Sequence, residues 1–537
     1  MLTSTAYEDS SLSFWPRVRE FAVPPTMIET ATFRRLRGDW AGACAAAGVD
    51  LDFDLRSTAR SYGRELVSRV RRDLRHLAPD LLRWHLPRVA PDGLLRPGLT
   101  ITLARYAGAG RDGVRPVHLV ARTPPAWADG GQRISLALWD AASGPFPDRF
   151  SAGRFSPGGF QPDAGVRRHP HPRPSRRYRL DLHRHLWDTR RTGELRVRSG
   201  ADLPAGDAPR GSADLPGPVP AGLGCAVARW ADEAAILLRD EGRTAGTVTV
   251  RLGTRRRLFL DLAADAEGGG PPALRITATP PADGTGGGPA VPVLPDAATW
   301  VLPDLALIRA GAVETGRLHP LVASALAPDR ASGEASGRRS GAATARGSAA
   351  PAMASAAAPD QRSPAAPDRA SAAASGTRPT VADPHADPAG AARLVECRGA
   401  VHRIGLVDGV LAPLDHDPAE IRREELLVAL TGTPLPCLRA IDEAHRRPHC
   451  LVGVRERLRH GDTAGALAVV EGLLGPDAVL RQGALRDELQ AAALRRVSYG
   501  LFRAGLTGPG PGSAILLALG PARPRGHRSH PRDTTGR

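Results

Sequence analysis

The chain of 537 residues contains no lysine and no asparagine, so all 72 of its basic residues are arginine. Without lysine there is no GxxxxGK phosphate-binding loop, no kinase phosphate-binding lysine and no Schiff-base catalysis. Without asparagine there is no Cys-His-Asn triad and no N-glycosylation site. Gly-x-Ser-x-Gly and His-Glu-x-x-His are also missing from the sequence. Several catalytic classes are therefore excluded before any fold is considered.

Aromatic residues make up only 4% of the chain, and there are five cysteines. The cores must consist mainly of Leu, Val and Ala, and the cysteines are too few and too scattered for a secreted disulfide framework. Residues 1–20 lack the basic start and apolar run of a signal peptide. The apolar run 514–519 is too short to span a bilayer. We predict a cytoplasmic protein that makes no membrane contact.

The formal net charge is +16 and the isoelectric point is near 10.9. Such basicity usually favours nucleic acid or an acidic membrane as a partner. Arginine without lysine, in a chain rich in Ala, Gly and Pro, is typical of a very GC-rich coding sequence. The charge is therefore weak evidence for selection toward a polyanion.

Hydrophobic periodicity and composition predict an α+β protein. In chain order we expect an irregular leader (1–25), an N-terminal helical module (26–90), a β-rich middle region (98–311), a long disordered linker (328–391), a small β-meander with a C-terminal helical module (393–506), and a disordered basic tail (507–537). The linker consists mainly of Ala, Ser, Pro, Asp, Gly and Arg, and it repeats Ala-Pro-Asp-Arg-Ala-Ser at 327–332 and 366–371. It could join two domains or be a loop within one.

Local signals support these boundaries. Thr26 and Glu29 predict a capping box at the start of the first helix. Asp417 followed by Pro418 predicts a second strong helix start. In the middle region, short alternating runs predict strands, among them 178–183, 194–198 and 234–239.

Two turns of similar sequence lie near the two ends of the chain. Residues 35–43 and 457–466 each contain a Gly-Asp step between two helical patterns. Their flanks do not align, and two hairpins are fewer than a solenoid needs. We expect two separate helical hairpins, and docking surfaces around Trp40 and Thr463.

The residues Cys397, His402, Cys437 and Cys450, with His445 and His449, are candidate zinc ligands by residue type. No Cys-x-x-Cys pair occurs, and adjacent residues such as His449 and Cys450 point in different directions on a helix. Core packing of the thiols is the alternative, and we predict no metal or other cofactor. Asp415-His416-Asp417 resembles a metal or acid–base cluster, but the Asp417 carboxylate is already needed as the helix cap.

The densest positive charge lies between Arg167 and Arg198. Arginine binds phosphate bidentately, and interleaved aromatic residues can stack on bases. Candidate polyanion-binding residues are Arg176, Arg177, Arg179 and Arg184. The alternative is a solvated charge run followed by an ordinary half-exposed strand.

Four phrases are similar as a set to an uncharacterised family from high-GC Gram-positive bacteria: residues 21–29, 36–44, 76–88 and 498–506. The resemblance covers most of the chain outside the linker. It implies no activity, cofactor or site residue.

Docking-type helical modules without catalytic motifs predict a non-enzymatic interaction or accessory protein with an unknown protein partner. One alternative is nucleic-acid binding through residues 167–198. A second alternative is an enzyme whose site is assembled from scattered residues.

Overall fold

A computed structural model of the chain describes residues 8–110, 115–140, 169, 171–203, 219–220, 223–253, 256–263, 274–279, 291–328, 393–432 and 434–506. These residues form a mixed α+β fold, which confirms the predicted class. The predicted linker, apart from Pro328, and the predicted tail (507–537) lie outside the described residues.

The N-terminal part contains five helices: α1 (Glu8–Phe21), α2 (Pro25–Leu36), α3 (Trp40–Ala46), α4 (Leu55–His76) and α5 (Pro79–His85). Helices α2 to α5 lie where the sequence predicted them. Helix α1 replaces most of the predicted irregular leader. Phe14, Trp15 and Val18 are buried in the main core, so tertiary packing outweighs the helix-breaking tendency of Pro16 inside α1.

The predicted capping box at Thr26 and Glu29 is wrong. Helix α2 starts at Pro25, with Pro24 at the cap position and no side-chain cap hydrogen bond. Proline is suited to the first helical position because its missing N–H would have no helical partner there.

The first six strands are β1 (Val49–Leu51), β2 (Arg88–Val89), β3 (Leu94–Leu95), β4 (Thr100–Tyr106), β5 (Val117–Arg122) and β6 (Ile134–Asp140). Four of them form a sheet in the order β1-β6-β5-β4, and β2 pairs with β3. β1 is parallel to β6, whereas β4, β5 and β6 are antiparallel. Most residues of β4 to β6 are buried on both faces, because the sheet lies inside the main core.

The second half of the middle region is more helical than predicted. It contains α6 (Leu195–Ser199), α7 (Trp230–Asp240), α8 (Asp296–Thr299) and α9 (Pro303–Arg309), with strands β7 (Gly246–Arg251), β8 (Arg257–Leu262) and β9 (Leu274–Thr277). Helix α10 (Pro320–Leu326) follows this region. The strands form an antiparallel sheet in sequence order, and α7 packs against it around Trp230 and Leu237.

Three strand predictions are therefore wrong. Residues 234–239 lie within α7, residues 194–198 are mostly α6, and 178–183 are irregular apart from one bridge. Short apolar runs do not distinguish strand from helix by periodicity alone. In α7 the buried residues Trp230, Ala234, Leu237 and Leu238 follow helical spacing once Trp230 is included.

The C-terminal part confirms the predicted meander and helices. Strands β10 (Arg393–Cys397), β11 (Ala400–Val407) and β12 (Val410–Pro413) pair in sequence order. Helices α11 (Pro418–Thr431), α12 (Pro436–Arg446), α13 (Leu451–His460), α14 (Thr463–Leu474) and α15 (Ala484–Arg503) follow. None of the helices in the described ranges is both long enough and apolar enough to cross a membrane.

The C-terminal helices pack directly on the N-terminal half. Tyr499 donates a hydrogen bond to Asp50 over 2.7 Å, and Trp127 meets Phe502 edge to face at 5.2 Å. The buried Arg83 guanidinium donates to the backbone carbonyls of Ala22, Gln132 and His460. One side chain thus connects α1, the segment before β6, and the end of α13.

Candidate functional site

Four side chains converge beneath the β-meander. Cys397 ends β10, His402 lies on β11, His416 follows β12, and Cys437 lies in the first turn of α12. One ligand atom from each residue lies within 4.8 Å of the other three. His402 Nδ1 is 2.7 Å from His416 Nε2 and 4.0 Å from Cys437 Sγ. We call these four residues the Cys/His cluster.

The strand register brings the first two residues of the cluster, Cys397 and His402, together. Cys397 pairs with Ala400, and Val395 pairs with His402. Directly paired residues in an antiparallel sheet share a face, so Cys397 and His402 point to the same side. The turn between the strands consists of Arg398 and Gly399, both with positive φ (57° and 80°). Such two-residue turns fix the hairpin register.

Carboxylates fix the loop that carries His416. Asp415 accepts hydrogen bonds from the backbone N–H and the guanidinium of Arg403, at 2.7 Å and 2.6 Å. The hydrogen bonds from the Arg403 side chain and backbone lower the pKa of Asp415 to about 2. Glu420 Oε2, on the first turn of α11, lies 3.4 Å from His416 Nδ1. His416 therefore directs one ring nitrogen to the cluster and the other toward a carboxylate.

The two thiols of the cluster are buried. Cys397 and Cys437 belong to a small apolar core with Ile404, Leu435 and Ile441. Burial raises the pKa of the Cys437 thiol to about 11, and a hydrogen bond with Cys397 adds to the shift. Any cation bound there must displace protons from these thiols.

The structure sorts the candidate ligands into two groups. Cys397, His402 and Cys437 are brought together, whereas Cys450 packs against a separate apolar cluster of the C-terminal helices. His445 and His449 are not part of the Cys/His cluster either. His416 is the member of the cluster that the sequence pattern did not indicate, because it stands between Asp415 and Asp417 and was interpreted with them. The antiparallel pairing of β11 with β12 would have indicated His416, because it places the residues that follow β12 beside His402.

Asp417 caps α11 as predicted. Its carboxylate accepts from the backbone N–H of Ala419 over 2.8 Å. The three residues of this sequence therefore have separate roles. Asp415 accepts hydrogen bonds from Arg403, His416 belongs to the Cys/His cluster, and Asp417 caps helix α11.

Most of the candidate polyanion-binding arginines face carboxylates of this chain. The ion pairs are Arg177 with Asp296, Arg179 with Asp181, Asp240 and Glu241, and Arg184 with Asp73 and Asp188. Arg176 is exposed. A phosphate would have to replace these carboxylates, leaving partly buried acids without a cation. The polyanion hypothesis stays a prediction, and these ion pairs weaken it.

The two Gly-Asp turns have the same hydrogen bonds. In each, the Asp carboxylate accepts from the N–H three residues later and from an arginine five residues earlier, at 2.8 to 3.1 Å: Asp39 with Gly42 and Arg34, and Asp462 with Gly465 and Arg457. The glycine before each Asp has positive φ, 77° at Gly38 and 87° at Gly461. Both turns are therefore helix caps of one design.

The predicted docking residues lie beside these turns but are not fully exposed. Trp40 packs against the main core, and Thr463 is half-buried at the start of α14. Their role in docking stays a prediction.

A cleft lies where α15 meets the four-stranded sheet. Its lining includes Asp52, Arg122, His169, Tyr499 and Arg503. Arg503 pairs with Asp52, and burial lowers the pKa of His169 to about 4. The lining also includes Thr123 and Ser135, and His169 Nε2 lies 2.9 Å from the backbone carbonyl oxygen of Thr123.

The fold and the Cys/His cluster thus define an α+β protein whose C-terminal part contains two thiols and two imidazoles at one point. No family model, curated protein or solved structure matches the chain. The resemblance noted from the sequence stays a prediction.

Proposed function

We propose that the chain is a cytoplasmic, non-enzymatic interaction or accessory protein. The partner is a protein that covers the outer face of the β-meander and helix α11 with apolar side chains. A concentration of exposed apolar residues between Leu394 and Leu430 carries this proposal.

The outer face of the meander carries exposed apolar residues beside the charged Glu396 and Arg403, and the described residues do not cover it. Val401 and Val407 alternate with His402 along β11, so they point away from the Cys/His cluster. Leu394 and Val401 are 64% and 63% exposed. A three-stranded sheet usually turns a polar face to water, so apolar residues on both faces indicate that another surface covers the outer one.

Helix α11 adds a second apolar surface. Leu426, Leu427 and Leu430 are 70%, 47% and 85% exposed, and no described side chain of the helix is buried. A helix that packs on its own domain buries one apolar stripe. Helix α11 buries no such stripe among its described side chains, which supports the proposal that a partner protein covers Leu426, Leu427 and Leu430.

The sheet edges suggest the chemistry of that partner. β10 and β12 are the two edges, and the described residues pair no further strand with either. An exposed edge offers backbone N–H and C=O groups to an added strand. An extended segment paired with β10 would satisfy that edge and place its apolar side chains beside Leu394.

Site-specific photo-crosslinking in cells tests this proposal. A photoreactive residue at position 427 should crosslink to a partner protein, whereas one at Val479 should not. Val479 is an 86% exposed apolar residue outside the proposed surface. Leu427→Glu with Leu430→Glu should abolish recovery of the partner, and Val479→Glu should leave it unchanged.

The proposal fails if the protein is recovered alone, or if both sets of variants lose the partner equally. Crosslinking of position 427 only to a second copy of this chain would also contradict a separate partner protein. Light scattering on the purified chain distinguishes that case.

A further inference from the structure

We propose that Cys397, His402, His416 and Cys437 bind one Zn²⁺ ion as a structural site. The inference does not depend on the proposed partner interaction. It reverses our expectation from the sequence that the chain binds no metal.

The donor set selects the type of ion. Two thiols and two imidazoles are soft and borderline ligands, which suit Zn²⁺, whereas Mg²⁺ and Ca²⁺ prefer oxygen. Four protein ligands in a tetrahedral arrangement are typical of structural zinc, because a catalytic zinc keeps a position for water. The set is complete, so we infer a structural ion.

The distances fit one tetrahedral ion. Zn–S and Zn–N bonds of about 2.3 Å and about 2.0 Å place neighbouring ligand atoms roughly 3.3–3.8 Å apart. The four atoms of the cluster already lie within 4.8 Å of one another, and the two imidazole nitrogens are 2.7 Å apart. Binding would therefore require only small shifts of each side chain.

The alternative is a hydrogen bond between two histidines beside two core cysteines. Such a bond accounts for His402 and His416, and the hydrogen bond between Cys437 and Cys397 accounts for the thiols, but neither explains why both pairs meet at one point. Most side chains of this small core are apolar, and gathering four polar groups within it has an energetic cost unless they share a partner. One cation satisfies all four at once.

The surroundings of His416 match those of a metal ligand. Ligating histidines commonly direct their second ring nitrogen to a carboxylate, which orients the ring and increases its basicity. Glu420 Oε2 occupies this position, 3.4 Å from His416 Nδ1. Glu420 is therefore a positioning residue, not a ligand.

The ion would join elements that share little apolar surface. Among the described residues, the core beneath the meander contains five buried residues, two of which are the cysteines themselves. Modules with so small a core commonly depend on a metal or disulfide. Zinc would fix β10, β11 and the loop before α11 to helix α12.

Metal content of the untagged full-length chain is the direct test. After purification and dialysis against metal-free buffer, mass spectrometry should find about one Zn²⁺ per chain. Cys437→Ser and His416→Ala should lower this to near zero. Cys450→Ser and His449→Ala are matched controls, because both residues lie outside the cluster, and they should retain one Zn²⁺.

A second measurement uses the wild-type chain and so does not depend on variants that fold. After chelation, added Co²⁺ should produce a thiolate-to-cobalt charge-transfer band and intense tetrahedral ligand-field bands, both displaced by Zn²⁺. Glu420→Gln should weaken Zn²⁺ binding about 10–100-fold in competition with a chelator, with the stoichiometry unchanged. The inference is wrong if wild type binds no stoichiometric Zn²⁺ or Co²⁺, or if Cys450→Ser loses as much metal as Cys437→Ser.

Discussion

At the residue scale, the main core contains a buried ion pair between Arg19 and Asp304. Arg19 donates from Nε and Nη2 to both carboxylate oxygens of Asp304, at 2.9 Å and 2.7 Å, and Trp84 Nε1 donates to the same carboxylate. The two charged side chains are 3% and 0% exposed. Neither charge has access to water as a substitute partner.

We expect Arg19→Met to lower the free energy of unfolding by about 3–5 kcal/mol, because it leaves the Asp304 carboxylate buried without a cation. Urea denaturation measures the loss. Arg317→Met is the control: Arg317 lies 4.0 Å from Glu20, both side chains are exposed, and the change should be no more than about 1 kcal/mol. Equal losses would show that burial does not determine the strength of the Arg19 pair.

The Cys/His cluster shows how far residue type alone can lead. Residue type alone indicates Cys397, His402 and Cys437, because zinc ligands come from few residue types. It also indicates Cys450, which lies elsewhere, and it does not place His416 in the same site. The cluster contains no Cys-x-x-Cys pair, and His416 joins it only through strand pairing.

At the element scale, the two Gly-Asp turns place glycine three residues after the capping aspartate. A Cβ on Gly465 would lie 2.2 Å from the Asp462 carboxylate, and one on Gly42 would lie 2.1 Å from that of Asp39. A Cβ at the third position would therefore displace the capping carboxylate.

Gly465→Ala should destabilise the protein by about 0.5–2 kcal/mol through loss of the cap. Gly472→Ala, in the same helix and with no atoms near the added Cβ, should instead stabilise it by about 0.5–1 kcal/mol. Thermal denaturation of the two variants should give shifts of opposite sign. If both variants raise the melting temperature, the hydrogen bond from the Gly465 N–H to the Asp462 carboxylate does not contribute measurably to stability.

How well each helix or strand could be predicted depends on the length of its hydrophobic pattern and on whether its stability is local. The longer helices of both ends follow from a sustained 3.6-residue apolar pattern, strengthened at α11 by the start signal of Asp417 and Pro418. Residues 194–198 and 234–239 were misassigned because a window of five or six residues fits either period. Helix α1 was missed because its stability comes from contacts with distant residues.

At the scale of the whole molecule, buried histidines should make stability depend on pH. Burial is the main cause that lowers the pKa of His85 and His460 to about 3, and of His118 and His169 to about 4. These groups are neutral in the folded chain, while the unfolded chain protonates them near pH 6.5. The unfolded state then binds more protons, so stability falls as pH drops from about 6.5 toward 3.

We expect the urea midpoint at pH 5 to be clearly below that at pH 7, with each histidine contributing at most about 1.4 kcal/mol per pH unit. His118→Phe should reduce the slope between these pH values. A midpoint that does not change from pH 7 to pH 5 would contradict neutral, buried histidines.

The contacts between the two ends predict that the chain can be divided. Expressed together as separate chains, residues 1–328 and 393–537 should co-purify, because Arg17 pairs with Glu456 and Tyr499 with Asp50 across the division. Arg83→Ala should weaken their association, since it removes the hydrogen bond to the His460 carbonyl, which crosses the division. Separate elution of the wild-type halves would contradict this.

The position of Arg83 has an evolutionary consequence. It holds the end of α13 to the N-terminal half, so the sequence between 328 and 393 need not determine how the ends meet. For a tract as disordered as its composition predicts, doubling the length adds only about 0.6 kcal/mol of closure free energy. Duplications such as the second Ala-Pro-Asp-Arg-Ala-Ser can then accumulate without selection against them, and related chains should differ in length mostly there.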